Sequence, residues 1–453
     1  MAISPPEKIQ HTELKRCVTF PGMLGQSIAS IGLTATVAVN IPVIYLSAAG
    51  GTWWTYLIAT LAIVLVALSI NQFARSSASS GGIATYVEQA MGTWAGIAAS
   101  WALALAYIIV IMCVLAGFAE SADVLFRGLH LIIPPVVYYA FCMVACTLLA
   151  CWEVRFSTLL MLITEAISVS VIIILCVVVL SKHKFSVDLS LLTAHGDSFA
   201  NIRSGLVLAL LSFTAFESAT TLGSESKEPL KMIPRAVIAA PIIAGVFFVF
   251  AAYVLSLAFA ASPLPIAKSN DPLEMLAKQL GMDGFAVWIA FGASVCFFGA
   301  ALAGTTAAAR IVFSLAGSGL LPSKLAHVHP RFGTPHYALI AVGVVNVVVC
   351  MLMADFGCKP MDIFDYTGTV ATFGFLLVYL MISIGAPIYL YRKGRLSVSA
   401  VVIALFSTGL LAFVAFSSIY PVPPAPLSYL PWIFLGLFAA GIIGFAVRLS
   451  VRR

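Results

Sequence analysis

Two carboxylates stand where carboxylates are costly. Glu217 sits in the run Ser212-Phe213-Thr214-Ala215-Phe216-Glu217-Ser218-Ala219, inside the apolar segment from Gly205 to Leu222, and Glu165 interrupts the apolar segment from Phe156 to Leu180. An ionisable group at membrane depth faces a partner, a water-filled cavity or a solute path, so both are candidate functional residues. Glu217 gates a path or couples a cation to it on one reading, and on the other ties its own segment to neighbouring Ser and Thr groups. Glu165 serves the same chemistry, or is held neutral by desolvation and a hydrogen bond to a neighbouring helix.

Two short stretches could hold a small polar solute. Ser27-Ile28-Ala29-Ser30-Ile31-Gly32-Leu33-Thr34-Ala35-Thr36 is dense in Ser, Thr and Gly, and Thr214 to Ala219 carries the charge of Glu217. Where a membrane helix breaks, freed N–H groups and the positive helix end suit a carboxylate, while freed carbonyls suit an ammonium or a cation. Small residues also allow close helix packing, which is the plainer reading of the first stretch.

The elements that position these residues follow from composition. Of 453 residues 61% are hydrophobic and 9% charged, and the mean hydropathy is +1.06. Too little polar surface exists to cover a soluble chain of this size, so the lipid bilayer is the expected surroundings. About 20 apolar residues cross the hydrocarbon core as a helix. Uncharged stretches place spans in Leu24–Ala74 (two, divided at Gly50-Gly51), Trp94–Phe118, Ile132–Cys151, Phe156–Leu180, Gly205–Leu222, Ala236–Ala267, Gly284–Ala309, Tyr337–Ala354 and Tyr366–Tyr391. Leu396–Val447 supplies two more, split by Pro421, Pro423, Pro424 and Pro426, giving twelve in all. The two break-prone stretches then fall in spans one and six.

With both termini cytoplasmic, 17 of the 24 Lys and Arg residues lie inside and 7 outside, which agrees with the positive-inside rule. The net charge of +6 is thereby a topology signal, and no nucleic-acid partner is expected. No run of four to eight basic residues argues a lipid or polyanion site. The polar stretch before Met23 has no cleavage site after a short apolar core, so no removable signal peptide is expected. Ser76 to Thr93 reads as a short cytoplasmic helix, and Ser181–Arg203 and Lys268–Asp283 as outer connections.

Nine cysteines mostly fall inside spans without metal-ligand spacing, and no nucleotide-binding Gly-rich loop or His-Glu-x-x-His is present. Neither an enzyme nor an ATP-driven pump is expected, and no cofactor, disulfide or structural metal.

Several segments in order resemble the amino acid/polyamine/organocation permeases over nearly the whole chain. They are Phe213-Thr-Ala-Phe-Glu217, Gly223-Ser-Glu-Ser-Lys-Glu-Pro229, Ile233-Pro-Arg-Ala236, Ala309-Arg310 with Gly319-Leu-Leu-Pro322, His329-Pro-Arg-Phe-Gly-Thr-Pro335, Tyr366-Thr-Gly-Thr369 and Gly374-Phe-Leu-Leu377. The resemblance implies an all-α membrane protein with a leucine-transporter-type fold. Two inverted repeats of five helices (24–181 and 203–391) would have broken helices one and six, with peripheral helices at 396–447 and cytoplasmic tails at 1–23 and 448–453. It also implies alternating access in an inner or plasma membrane. The substrate carboxylate is expected near Ser30, Ile31 and Gly32, and its amino group near the carbonyls of Phe213, Thr214, Ala215 and Phe216, with Phe216 as a lid. Glu217 matches the family's carboxylate after the helix-six break.

One departure leaves the coupling ion open between a proton and sodium. Relatives that do without sodium often carry a Lys on helix five, and the nearest match here is Ser168, one turn beyond Glu165. Thr305 and Thr306 on helix eight could ligate sodium with helix-one carbonyls, since hard cations take oxygen ligands, or could simply bond back to helical carbonyls. Tyr107, Phe297 and Phe298 are the aromatic candidates for lining the site. The expected activity is secondary transport of amino acids as symporter or exchanger. A carrier of polyamines or other organic amines is the alternative, and a non-transporting sensor a third reading.

Overall fold

The computed structural model describes residues 14–128, 130–152, 154–186, 188, 199–262, 266–269, 271–420, 422 and 424–451. The expectations for residues 1–13 and for most of the connection before Phe199 lie outside them. Among the described residues all regular structure is helical, apart from an isolated parallel bridge between Val18 and Ser226.

The helices are α1 Phe20–Ile31, α2 Leu33–Ala35, α3 Ile41–Ala48, α4 Thr52–Ala74, α5 Ile83–Met91, α6 Thr93–Arg127, α7 Pro135–Trp152 and α8 Val154–Lys182. They continue with α9 Phe199–Leu211, α10 Pro229–Ala261, α11 Pro272–Gln279, α12 Phe285–Gly317, α13 His336–Asp355, α14 Pro360–Arg392, α15 Val398–Ser417 and α16 Leu430–Val451. Among the described residues ten helical segments are long and apolar enough to cross a membrane, the first running from Phe20 to Ala74. At 1.5 Å per residue its 55 residues exceed one crossing of a core about 30 Å thick, and the tight turn Ala49–Gly51 divides it. The expected short helix before span three is α5, and α11 lies in the stretch Lys268–Asp283, read from sequence as a connection.

The sixth span, expected over Gly205–Leu222 with a break in Thr214 to Ala219, is discontinuous: α9 stops at Leu211, residues 212–217 form turns, and a 3-10 helix covers Ser218–Leu222. One boundary corrects the sequence reading. The eighth was expected to end at Ala309, but α12 runs on to Gly317 and carries Arg310 fully into the interior. Arg310 therefore does not belong to a solvated cytoplasmic loop.

Burial ranks the helices. In α6, 83% of the most apolar membrane-length window is buried, against 28% in α15 and 22% in α16, so α6 is central and the last two are peripheral. Contacts of α6 with α12 and α14, and of α1 with α8 and α12, build the middle of the bundle. Lipid offers no hydrophobic drive for helix association, so close approach rests on small residues. A Cβ added to Gly117 of α6 would lie 2.4 Å from the Phe297 ring of α12, and one on Gly374 of α14 would lie 2.8 Å from Ala106 of α6.

Candidate functional site

The segment from Phe20 to Ala48 is interrupted once, at Gly32, whose φ of 68° and ψ of 70° are left-handed. The Gly32 N–H still reaches Ile28 O (3.2 Å) and closes α1, after which the chain restarts as α2. A new helix start exposes N–H groups, and side chains from other helices take them. The Leu33 N–H donates to Glu165 Oε1 at 2.6 Å, and the Cys296 sulfur faces the N–H groups of Thr34 and Ala35. Cys296 also lies 3.8 Å from Glu165 Oε1, and Ser168 donates to the Glu165 carbonyl at 3.0 Å. Glu165 of α8 is thus an N-terminal cap for α2 supplied from another helix, and Ser168 holds its backbone. An alanine at position 32 would meet nothing nearer than 3.7 Å, so the objection to it is conformational. Gly32→Ala is expected to lower stability by about 1–2 kcal/mol, read as a lower melting temperature of the solubilised protein.

The second break is built differently. Ala215 carries a positive φ of 64°, which a non-glycine residue adopts only when its surroundings hold it there. Its N–H donates to Tyr379 Oη at 3.1 Å, and the Tyr379 hydroxyl donates in turn to Glu217 Oε2. Tyr107 donates to the other carboxylate oxygen at 2.8 Å. Glu217 is therefore clamped between a tyrosine of α6 and one of α14, all three fully enclosed. Phe216 packs its ring on Tyr379 with centroids 5.4 Å apart, and Phe213 packs on Phe248 at 5.2 Å. Thr214 donates its hydroxyl to Leu211 O and lines a cavity of about 10 Å³ with Tyr379 and Thr372, room for one water.

The two breaks are laced together. Ser30 donates to Ser218 at 2.8 Å, Ser218 donates to Gln26 O at 3.1 Å, and the Ala219 N–H donates to Ser27 at 3.3 Å. The sequence candidates consequently fall around the two breaks and along α12. Ser30, Tyr107, Ala215, Phe216 and Glu217 meet around the second break, while Ile31, Gly32, Glu165 and Ser168 meet around the first. Phe297 follows Cys296 and packs on Gly117 and Phe364. Phe298 is bound through its carbonyl by Cys146.

Thr305 and Thr306 lie nine and ten residues past Cys296 on α12, about 14 Å along the axis. Thr305 donates to Ala301 O, Thr306 O accepts from Arg310 Nη1 at 2.7 Å, and the buried Thr306 hydroxyl has no hydrogen-bond partner among the described residues. Gln26 of α1 reaches this stretch through Nε2 to Ala303 O at 2.9 Å, and its own main-chain carbonyl accepts from Ser218.

Sequence reasoning missed two partners. Tyr379 carries a signal that could have found it, since a buried phenol needs a hydrogen-bond partner and Glu217 needed a donor. Arg310 forks both carboxylate oxygens of Glu225, with Nη2 to Oε1 at 2.8 Å, and both side chains are enclosed. The Glu225 carbonyl accepts the N–H groups of Cys17 and Val18 at 2.9 and 3.0 Å, so this pair also fastens the chain just before α1.

Known proteins match both sequence and shape. The chain is similar to the low-affinity putrescine importer PlaP of Escherichia coli K12, 23% identical over 326 residues, 67% of this chain and 69% of PlaP. It is similar to the branched-chain amino acid permease BcaP of Bacillus subtilis, 21% identical over 389 residues, 80% of this chain and 79% of BcaP. A methylthioribose transporter of Bacillus subtilis is 26% identical over 309 residues, 64% of this chain and 65% of that protein. The crystal structure of MhsT in complex with L-phenylalanine superposes with a TM-score of 0.55 over 97% of this chain and 99% of that one, at 15% identity, a likeness of fold. These relatives are transporters and not enzymes. The amino acid permease family matches from residue 22, inside α1, to residue 448, inside α16, and the chain belongs to that family.

Proposed function

We propose that this protein is a secondary active transporter of amino acids that works by alternating access. The observation that carries the reading is the pair of interrupted membrane segments, at Gly32 and at residues 212–217, joined by the Ser30–Ser218 hydrogen bond beside the Glu217 clamp. Main-chain groups that have left the helical ladder can serve a substrate, and discontinuous helices at matching places in two halves suit a midplane site. With the 20–74 segment counted as two crossings and α9 with its turns as one, the spans number twelve. On this reading 24–181 and 203–391 are the inverted repeats, 396–447 is peripheral, and both termini are cytoplasmic in an inner or plasma membrane. Ser30, Ile31, Gly32 and Phe213 to Phe216 face the substrate with Tyr107 and Phe297, and Glu217 gates it.

Glu165 is the proposed coupling group, and a proton the proposed coupling ion. The carboxylate lies against the restart of the broken helix, so any change in its charge acts directly on that joint. Sodium at Thr305 and Thr306 is the competing assignment, and there the Thr306 hydroxyl is buried without a partner among the described residues. A second reading, transport of polyamines or other organic amines, is favoured by the two deep carboxylates Glu165 and Glu217, neither of which has a basic partner among the described residues.

Uptake of labelled amino acids and of putrescine into proteoliposomes tests this, under an imposed proton gradient, an imposed sodium gradient, or internal substrate alone. Accumulation of amino acids driven by the proton gradient is the expected result. Glu165→Gln should abolish that accumulation while sparing exchange against internal substrate. Sodium-driven accumulation that survives Glu165→Gln would refute the coupling assignment, and absence of uptake in every condition would refute transport.

A further inference from the structure

An apolar groove of about 320 Å³ opens on the outside of the bundle between α4 and α15, lined by Leu65, Leu405, Phe406, Gly409, Leu410 and Phe413. It begins seven residues into α15 and ends fifteen residues in, about 10 to 22 Å from the helix start at 1.5 Å per residue. In a hydrocarbon core about 30 Å thick it therefore straddles the middle of the bilayer, its nearer end about 10 Å below the side on which α15 begins.

That same end is crowned by cations. The two helices are antiparallel, so ten residues from Leu65 reach Arg75 at the end of α4, and ten from Gly409 reach the start of α15 beside Arg395. The end of α4 is tied to the end of α14, which leads into α15. Ser76, next to Arg75, is hydrogen-bonded to the Tyr389 hydroxyl of α14 at 2.8 Å, the Phe73 ring packs tilted on Tyr389 at 4.4 Å, and the Lys393 ammonium lies 5.8 Å from that ring's centre. Arg75, Arg392, Lys393 and Arg395 are all exposed, and none forms an ion pair among the described residues. Between Thr52 and Met91 the one acidic residue is Glu88, whose neighbour Gln89 donates to Ser77 at 2.7 Å, and no acidic residue follows Asp365. The corner thus combines a slot for hydrocarbon with an excess of positive charge, Arg75, Arg392, Lys393 and Arg395 against Glu88.

We propose that this corner is a binding site for an anionic phospholipid, with its phosphate at Arg75, Lys393 and Arg395 and an acyl chain in the groove. A solvated basic loop alone would attract any anion, and an apolar groove alone would hold any lipid tail; cations at the membrane surface above a groove that begins about 10 Å beneath them select a molecule that has both. Each cation near the surface adds attraction for an anionic headgroup, and basic pockets between membrane helices suit such lipids. The site is discontinuous, its cations coming from the ends of α4 and α14, which is why no basic run announces it. The proposal requires only that the chain is embedded in the bilayer, and is independent of which solute is carried.

Native mass spectrometry of the full-length purified protein, incubated in detergent with phosphatidylglycerol or with phosphatidylcholine, tests it. Retention of one phosphatidylglycerol at about tenfold or more over phosphatidylcholine is expected. Arg75→Gln with Arg395→Gln should remove that preference. Gly409→Trp should remove retention by filling the slot, and is expected to fold because a Cβ there meets no atom within 4 Å. Equal retention of the two lipids, or retention unchanged in both variants, would overturn the site. Displacement of the lipid by millimolar glycerol phosphate, with equal binding of that phosphate to Gly409→Trp, would show a simple anion site and overturn the lipid.

Discussion

Tyr379→Phe is expected to lower uptake per folded molecule by about 5- to 150-fold, with the fold intact. One hydroxyl does two jobs, accepting the Ala215 N–H and donating to Glu217. Its removal leaves a buried donor and a buried carboxylate oxygen short of a partner, at about 1–3 kcal/mol for a lost buried hydrogen bond. Glu217→Gln should do comparable damage, because an amide presents one acceptor oxygen where the two tyrosines need two. Tyr107→Phe removes only one bond, 2.8 Å long, and should fall between these variants and the parent. Proteoliposome uptake, normalised to monodisperse protein from gel filtration, reads all three. Parental rates in Tyr379→Phe and Glu217→Gln together would take the clamp out of the transport cycle and leave it a packing feature. The melting temperature separates these cases, since a packing role predicts loss of stability with normal uptake.

The largest expected stability effect lies away from the breaks, at Arg310 and Glu225. Both are fully enclosed and paired in a fork, and Arg310 also donates to Thr306 O. Removing one partner strands the other as a buried uncompensated charge, which costs about 3–5 kcal/mol, whereas replacing both by apolar groups is often close to neutral. Arg310→Met and Glu225→Met should therefore each melt well below the parent, and the two combined should recover most of the loss. The size of the recovery is the coupling between the two residues. Single variants that melt at the parental temperature would contradict the enclosed pair. Because the Glu225 carbonyl accepts Cys17 and Val18, the unstable single variants should also expose the chain before α1 to protease.

What the sequence alone determined was set by long-range averages and by spacing. Hydropathy placed the chain in a bilayer and located the spans, because a lipid-facing helix must be apolar over its whole length whatever it packs against. Glu217 and Glu165 stood out as candidates because a carboxylate is expensive there, and the Ser, Thr and Gly content of residues 27–36 marked the stretch in which Gly32 breaks the helix. What only the tertiary structure decided was pairing. Nothing in the order of residues says that Glu165 caps Leu33 from 132 positions away, that Tyr107 and Tyr379 share Glu217, or that Arg310 meets Glu225. The same holds for the meeting of Ser76 with Tyr389 near the end of α14. Hydrophobic burial fixes which segments enter the membrane and is indifferent to which polar group meets which. Those matches are made by the rotation and depth of each helix, which follow from small-residue contacts such as Gly117 on Phe297 and Gly374 on Ala106.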